Sequence, residues 1–309
     1  MQLVFAWTGD LRNSISLIFF SLPLSISVKS ILDFKVKVLQ MDGSKNSLLD
    51  AVAVEEPLEI RLSVEGFTLR VATTMRTPGN DEELALGFLW SEGVIREIES
   101  IQSVKRSTDP RLEVSENVII VNLSSGTQVD WRRLNRRIDV QSSCGICGSQ
   151  SLQSLKNLDL SQPRGLPWPK DISLGTFLEQ LSSSQNMFRR TGGVHASGLF
   201  DYDGNLICLR EDVGRHNALD KVVGWGLDKK FLPAEDTILL LSGRISFELV
   251  QKALLAGIPN LVGIGAPSSL AIELAEEFDL TLLGFLRENS VNVYSGQWRI
   301  DRLQLNNQN

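Results

Sequence analysis

The chain has 309 residues, of which 42% are hydrophobic and 22% are charged, so it can bury a core of ordinary globular size. Its net charge of -6 argues against a protein that coats nucleic acid or anionic membrane. Three cysteines are too few for the disulfide framework of a small secreted domain, and the sequence therefore predicts a cytoplasmic protein.

The N-terminal region carries an apolar run over residues 15–28, ISLIFFSLPLSISV, with Arg12 before it. A membrane span needs about 20 apolar residues, and this shorter run is more typical of a signal-peptide core. Pro23 interrupts the run, however, and no clear small-x-small cleavage site follows. We therefore predict that residues 1–43 form an N-terminal extension, either disordered or an over-called start with Met41 as the initiator. A signal peptide stays the alternative.

The first elements of regular structure follow this extension. Apolar and polar residues alternate over 58–64 and 67–74, which predicts a β-hairpin. A helix is expected next, capped by Asn80 or Asp81. Residues 118–123 predict a short buried strand.

A basic turn then leads into a Ser- and Gly-rich loop. Arginines occupy positions 132, 133, 136 and 137. Cys144 and Cys147 lie in the loop that follows, residues 142–149, whose small polar residues predict a mobile segment. Residues 44–160 are thus predicted to form a smaller α+β part that carries the CxxC loop.

The second half of the chain is predicted to alternate between strands and helices. Three prolines and a glycine in 161–169 predict a linker. A hairpin with its turn at 203–205 and a helix at 215–227 follow. Strands and helices then alternate at 237–241, 247–256, 260–263, 268–277 and 280–285. This alternation is typical of βαβ crossovers in a partly parallel sheet, so we predict an α/β fold for residues 161–309, a layered mixed sheet with flanking helices.

The Cys144-x-x-Cys147 pair is the strongest candidate for chemistry. Two thiols at this spacing lower the pKa of one of them, which produces a reactive thiolate. Such a thiolate can hold sulfur as a persulfide while the second thiol resolves it. The alternative is half of a zinc site completed by His195, His216 or Cys208. We favour sulfur or redox chemistry and interpret Cys208, inside the apolar run LICL, as a core residue.

Polar, glycine-rich stretches in the second half predict a ligand site. Gly193 and His195 belong to one of them, and Arg215 and His216 belong to another. Glycines let the backbone approach a phosphate or heterocycle, arginine binds anions and histidine relays protons. The alternatives are structural histidines and a simple turn in which Asp212 caps the following helix.

A third polar stretch, Ser242-Gly243-Arg244, comes directly after a predicted strand. Amides and a guanidinium at a helix N-terminus can hold phosphate. The carboxyl ends of parallel strands gather at one edge of a sheet, so we expect this stretch to lie near Gly265-Ala266-Pro267-Ser268, which follows the next strand.

These motifs together resemble the FdhD family of formate dehydrogenase accessory sulfurtransferases. The matching stretches are MRTPG at 75–79, CGIC at 144–147, GGVH at 192–195, EDVGRHNALDK at 211–221, SGR at 242–244, AGIP at 256–259 and NVYSG at 292–296. They occur in order over nearly all of the chain after residue 50. The EDVGRHNALDK stretch is highly specific, whereas CGIC by itself is not.

The resemblance implies a role in sulfur transfer. Members of the family take sulfur from a cysteine desulfurase and deliver it to the molybdenum bis(molybdopterin guanine dinucleotide) cofactor of formate dehydrogenase. It therefore implies that Cys144 carries a persulfide and that Cys147 assists. We expect a homodimer with no permanent metal, no nucleic-acid partner and no membrane association.

The resemblance also implies a cytidine deaminase-like fold for the C-terminal part and a pterin-guanine nucleotide site. Part of that site is expected on Phe285, Leu286, Arg287, Glu288, Asn289 and Ser290. In this stretch the sequence departs from the glycine- and arginine-bearing pattern that is usual in the family. Arg287 remains, but the Glu288 carboxylate would repel phosphate. The alternative function is a cofactor-binding chaperone of a molybdoenzyme whose CxxC is structural, as a zinc or docking loop.

Overall fold

The computed structural model describes residues 29–40, 45–109, 115–127, 129, 162–163, 165, 168 and 174–300. The predicted arginine turn and the CxxC loop lie outside the described residues, as does most of the predicted linker. The arrangement is a mixed α/β fold of three sheets with flanking helices, which confirms the predicted fold class. The cytidine deaminase-like detail and the division at residues 160 and 161 stay predictions.

The first sheet is a two-stranded antiparallel ribbon of β1 (Ile31–Leu39) and β2 (Lys45–Ala53). β1 lies inside the segment 1–43, so the expectation of an unstructured extension does not hold for residues 31–39. Alternation of apolar side chains from Leu32 to Val38 is a strand signal, and pairing with β2 satisfies the backbone on one edge.

The second sheet has four strands in the order β4-β3-β6-β5, with β3 and β6 parallel and the other pairs antiparallel. Its strands are β3 (Glu56–Val64), β4 (Phe67–Arg76), β5 (Ile101–Arg106) and β6 (Val118–Leu123). Short 3₁₀ turns occur at Ile98–Ser100 and Ser115–Asn117. The predicted hairpin and the predicted strand at 118–123 are both confirmed.

Helix α1 (Asp81–Ser91) follows β4, but neither predicted residue caps it through its side chain. Asn80 adopts a left-handed backbone conformation with φ 55° and makes no capping hydrogen bond. Asp81 is buried, and its carboxylate accepts hydrogen bonds from Arg76 Nε at 2.9 Å and from Arg106 Nη2 at 3.1 Å. Asp81 therefore ties the helix to the sheet, because two cations compete for the carboxylate that would otherwise cap the helix.

The third sheet has six strands in the order β12-β11-β10-β9-β7-β8. They are β7 (His195–Asp201), β8 (Leu206–Asp212), β9 (Thr237–Leu241), β10 (Asn260–Gly263), β11 (Thr281–Arg287) and β12 (Ser290–Ser295). The three central strands β9, β10 and β11 are parallel, and the outer pairs are antiparallel. The predicted partly parallel sheet is thus confirmed.

Three helices lie where the sequence predicts them: α4 (Arg215–Asp228), α5 (Phe247–Leu255) and α6 (Ser269–Glu277). Three others were not predicted: α2 (Leu174–Ser184), α3 (Asn186–Thr191) and α7 (Gln297–Ile300). Among the described residues, no helix combines the length and the apolar character needed to cross a bilayer.

The two halves of the chain share a core where α1 crosses α4. A Cβ on Gly87 would lie 1.8 Å from the carbonyl oxygen of Asp220, and a Cβ on Gly224 would lie 1.8 Å from that of Glu83. The helix backbones therefore touch, and only glycine fits at either position. One cluster of buried side chains runs from β3 and β6 through α1 and α4 into the six-stranded sheet. The crossing thereby fixes the position of α4, whose first residues belong to the candidate site.

Candidate functional site

The candidate site lies at the edge of the six-stranded sheet where the parallel strands end. Residues 242–244 follow β9 and residues 265–268 follow β10, and the Gly265 amide donates to the Gly243 carbonyl at 3.1 Å. β7 runs antiparallel to β9, so its first residue, His195, starts at this same edge. This is the place where layered α/β folds collect ligands, and the predicted proximity of the two loops is confirmed.

His195 is held between β7 and the loop after β9. The Ser242 hydroxyl accepts a hydrogen bond from the Ala196 amide at 2.8 Å, and the Ser242 amide donates to the Ala196 carbonyl at 3.0 Å. A Cβ on Gly243 would lie 3.2 Å from His195 Nδ1, so any larger residue there would crowd the imidazole. Burial lowers the pKa of His195, and the nearby charge of Arg215 lowers it further. The ring is therefore neutral at physiological pH.

Arg215 opens helix α4 at the same edge. Its Nε atom is buried and has no hydrogen-bond partner within the described part of the chain. Buried guanidinium N–H groups are almost always satisfied, because leaving one unpaired is costly. An anionic ligand would supply the missing acceptor.

His216 contacts two side chains at the start of α5. Its Nε2 atom lies 3.1 Å from Ser246 Oγ and 3.3 Å from Glu248 Oε2. The Ser246 hydroxyl donates its proton to Glu248 Oε2 at 2.9 Å, so it has none left for His216. A hydrogen on Nε2 satisfies both the serine oxygen and the carboxylate, so these contacts favour the tautomer that carries its hydrogen on Nε2. In a nucleophilic triad the serine and the carboxylate contact different ring nitrogens of the histidine. Here both contact Nε2, so this group is not a nucleophilic triad.

The Glu248 carboxylate at this edge has a lowered pKa. The hydrogen bond from His216, with a further contribution from Ser246, lowers the pKa of Glu248 to about 2, although partial burial opposes the shift. Glu248 is thus ionised throughout the physiological range and keeps a negative charge beside His216. The sequence analysis missed both Ser246 and Glu248. A serine cap with an acidic residue in the first helical turn was the signal that could have identified them.

Asp212 is not the cap of α4. Its fully buried carboxylate lies 2.7 Å from Lys221 Nζ and accepts hydrogen bonds from the amides of Thr77 and Gly214. The residue at the N-cap position is Gly214, which has no side chain to cap the helix. Asp212 therefore fixes the turn that presents Arg215 by joining it to the MRTPG segment.

The predicted nucleotide segment adjoins this edge through its backbone. The Phe285 amide donates to the Gly265 carbonyl at 3.1 Å, and the Phe285 side chain is 40% exposed. Phe285 has φ 53°, a left-handed conformation that a bulky residue rarely adopts. An aromatic ring held outward in this way offers a stacking surface for a heterocycle.

The remaining residues of the segment differ in their accessibility. Leu286 is buried in the core, so its side chain is not available to a ligand. Arg287 Nη1 donates to the carbonyls of Ile264 at 2.9 Å and Leu286 at 2.7 Å. Glu288 and Asn289 form the exposed turn between β11 and β12, and Ser290, also exposed, begins β12.

Two other predicted site residues, Arg244 and Gly193, lie exposed around the candidate site. Arg244 is exposed in the loop after β9. Gly193 is exposed two residues before β7, where a Cβ would lie 4.0 Å from Ala53 of the ribbon. The structure thus brings His195, Arg215 and the loop after β9 together, and it places Gly193 on the side of the ribbon.

The cysteines fall into two groups. Cys144 and Cys147 lie outside the described residues. Cys208 lies on β8 with its side chain buried, and burial raises its pKa to about 12. It is therefore a core thiol, as predicted, and it pairs with Leu199 on β7, four residues along the strand from His195. Within the described ranges, no three His, Cys, Asp or Glu side chains are grouped closely enough to hold a metal ion.

The chain is similar to known proteins over most of its length. Residues 53–301 match the model of the FdhD/NarQ family. The sulfur carrier protein FdhD of Streptomyces avermitilis is 44% identical over 272 residues, which cover 85% of this chain and 94% of that protein. The protein of the same name from Saccharolobus solfataricus is 45% identical over 267 residues, covering 86% and 96%.

A solved structure shares the fold. It is the crystal structure of a protein from Desulfotalea psychrophila that is provisionally named a formate dehydrogenase accessory protein. The two structures superpose with a TM-score of 0.67 at 24% identity, over 88% of this chain and 99% of the other.

Proposed function

The chain belongs to the FdhD/NarQ family, and we propose from this membership that it is a sulfur carrier that serves formate dehydrogenase. The observation that carries the proposal is the 44% identity to a curated sulfur carrier protein over 94% of that protein's length. The proposed setting is the cytoplasm, with a cysteine desulfurase as the sulfur donor.

Cys144 is proposed to carry the sulfur. Its thiolate attacks the terminal sulfur of the donor's persulfide, the sulfur–sulfur bond in the donor breaks, and the donor cysteine leaves as a thiolate. Cys144 then holds the persulfide, and the exchange involves no net oxidation. Cysteine oxidation chemistry includes such persulfides as reversible states.

Cys147 is proposed to release the sulfur. Its thiolate attacks Cys144 Sγ, a Cys144–Cys147 disulfide forms, and the terminal sulfur leaves as hydrosulfide for the acceptor. The cysteine pair supplies the two electrons of this step. A cellular dithiol reductant then restores both thiols.

The acceptor is proposed to be the molybdenum bis(molybdopterin guanine dinucleotide) cofactor, bound as cargo at the sheet edge. The unsatisfied buried Nε of Arg215 and the exposed Arg244 suit its phosphates. The exposed Phe285 ring suits stacking against its guanine. Glu288 disfavours phosphate, which supports placing the phosphates nearer to Arg215 than to the β11–β12 turn.

The test is intact-mass analysis after incubation with a cysteine desulfurase and cysteine. We expect a reductant-sensitive gain of one sulfur, about 32 Da, in the wild type and in Cys208→Ala, but not in Cys144→Ala. Cys208 is the matched control because its thiol is buried and unreactive. An adduct that persists in Cys144→Ala would contradict the assignment.

The same experiment distinguishes a cofactor-binding chaperone. That function would leave the wild type without a sulfur adduct, with zinc bound at the cysteine pair or no modification, while Cys144→Ala still activated formate dehydrogenase. A guanine-nucleotide titration separates the two halves of the proposal, since binding at the sheet edge does not require either cysteine.

A further inference from the structure

Two adjoining cavities lie between helix α1, strand β5 and the last turn of helix α4. They share Ile98, Leu227 and Lys230 in their walls, so they form one continuous groove, called the acidic groove below. The groove lies away from the candidate site, because Leu232 and Pro233 of its wall precede strand β9, whereas the site loop follows that strand. Helix α4 spans the distance between the two places, about 20 Å for its 14 residues.

The first cavity has apolar walls and the size of one large side chain. Its volume is about 230 Å³, which is below the roughly 300–1,000 Å³ of sites that hold drug-sized molecules and cofactors. The Trp90 indole forms one wall and donates its N–H to the Leu255 carbonyl at 3.0 Å, so its hydrogen-bonding capacity is already used. The other apolar walls are Ile98, Leu227, Leu232 and Pro233. A cavity of this kind suits an apolar anchor side chain of a partner protein.

Neither cavity offers the polar groups that orient a small ligand. Small-molecule sites place a few donors and acceptors at fixed points of a mainly apolar wall. Among the residues that the structure describes, no buried polar side-chain atom without a hydrogen-bond partner belongs to either cavity. A segment of protein suits the groove better, because protein interfaces combine apolar contact at the centre with polar contact at the rim.

The rim of the groove is predominantly acidic. Its carboxylates are those of Glu82, Glu83, Glu99 and Asp228. Two of these four already pair with a neighbouring cation, but Glu82 and Glu99 are exposed and make no ion pair with any described residue. The C-terminal end of α4 adds partial negative charge at the same place. Although Lys230 also lines the groove, the rim favours a partner segment with basic side chains.

The groove adjoins the point where the chain leaves strand β6 towards the cysteine pair. The Ser124 amide, just after β6, donates to the Ser100 carbonyl at 2.8 Å, and Ser100 ends the 3₁₀ turn that begins at Ile98. Val129, further along the chain, packs against the same core cluster as Ile98. A protein bound in the groove therefore lies beside the start of the stretch that leads to Cys144.

We propose that the acidic groove is the docking surface for the sulfur donor, which inserts an apolar side chain into the first cavity and places basic side chains against Glu82 and Glu99. This inference rests on the proposed function, in which Cys144 receives the donor's sulfur. The acceptor cofactor is proposed to bind at the opposite edge of the sheet. A donor in the groove leaves that edge open, so the two partners do not compete for one surface.

The test is the affinity of the full chain for a cysteine desulfurase, measured by calorimetry. Glu82→Lys combined with Glu99→Lys should weaken binding by about 10-fold or more, because both new charges repel the donor's basic side chains. The matched control is Glu179→Lys combined with Asp203→Lys, the same change of charge at exposed positions on α2 and the β7–β8 turn. Helix α2 packs in a different core cluster from α1 and α4, so the control should change the affinity by less than about 3-fold. Circular dichroism verifies that each variant folds.

Hydrogen exchange of the unmodified chain provides a second measurement that requires no substitution. Saturating desulfurase should slow the exchange of amides in residues 98–104 and 228–232, which form the groove. Protection confined to other parts of the chain would overturn the proposal. Equal affinities of the wild type and the groove variant, or an equal loss of affinity in both double variants, would overturn it as well.

Sulfur loading separates this inference from the proposed function. At saturating donor, the wild type and the groove variant should gain the same single sulfur, and only the donor concentration needed for half-loading should rise, by about 10-fold or more in the variant. Equal half-loading concentrations would overturn the docking surface and leave the sulfur carrier intact. A wild type that gains no sulfur would refute the proposed function and this inference with it.

Discussion

Replacing Gly87 by alanine should separate the two helices that join the halves of the molecule. The new Cβ would lie 1.8 Å from the Asp220 carbonyl oxygen, whereas nonbonded heavy atoms prefer about 3.5–4.0 Å. The helices must therefore move apart by about 1.5 Å or more, because a backbone carbonyl has no rotamer by which to withdraw.

The magnitude follows from two opposing effects. Overpacking of a tight contact costs about 1–3 kcal/mol, and a rigid obstacle places Gly87→Ala at the upper end. The better helix propensity of alanine offsets about 1 kcal/mol. We expect a net loss of about 2 kcal/mol, a sizeable share of the roughly 5–15 kcal/mol that stabilises a typical domain.

The assay is urea unfolding, with Gly226→Ala in helix α4 as the control. A Cβ on Gly226 would meet Leu232 Cδ2 at 2.8 Å, the far end of a flexible side chain that can rotate away. That substitution should therefore change the unfolding free energy by less than about 1 kcal/mol. Wild-type or higher stability of Gly87→Ala would refute the close helix crossing.

Three further predictions concern the site and its support. Because the hydrogen bond from His216 is the main cause of the lowered pKa of Glu248, His216→Ala should raise that pKa from about 2 towards 4.5, as followed by carboxyl carbon NMR; an unchanged pKa would contradict the contact. The depressed pKa means that this stabilisation is present above pH 4.5 and is lost as the pH falls towards 2. Asp212→Asn removes the buried partner of Lys221 and should cost about 3–5 kcal/mol in urea unfolding, whereas a loss below about 1 kcal/mol would show that the pair is not a buried ion pair. Arg215→Ala should weaken GDP binding by about 10- to 100-fold in calorimetry, the range for hydrogen bonds to charged groups, and unaltered affinity would place the nucleotide elsewhere.

Local patterns were sufficient to predict most elements of the second half of the chain. The alternation of apolar runs with glycine and proline predicts β9, β10 and β11 within one or two residues at either end. Motifs that follow those strands were correctly placed at one edge, because parallel strands all end on the same side of a sheet. Arg215 and His216 of the EDVGRHNALDK stretch were predicted as candidate site residues from their types alone, and their role in binding stays a prediction.

Side-chain partners far apart in sequence could not be predicted in this way. Asp212 was expected to cap a helix, but the fold brings it to Lys221 and Thr77. Leu286 was expected in a binding segment, but the bulge at Phe285 turns it into the core. Glu248 was not predicted as a site residue, because only the fold places the start of α5 beside His216.

The sequence by itself determined the type of most elements of the second half and the family of the chain, because both depend on residue types at short spacings. Only the tertiary structure decided that His216 contacts Ser246 and Glu248, which buried atom of Arg215 lacks an acceptor, and that α1 and α4 cross in backbone contact at Gly87 and Gly224. Each of these depends on atoms that meet across long stretches of chain, and no local pattern records which distant groups the fold brings into contact.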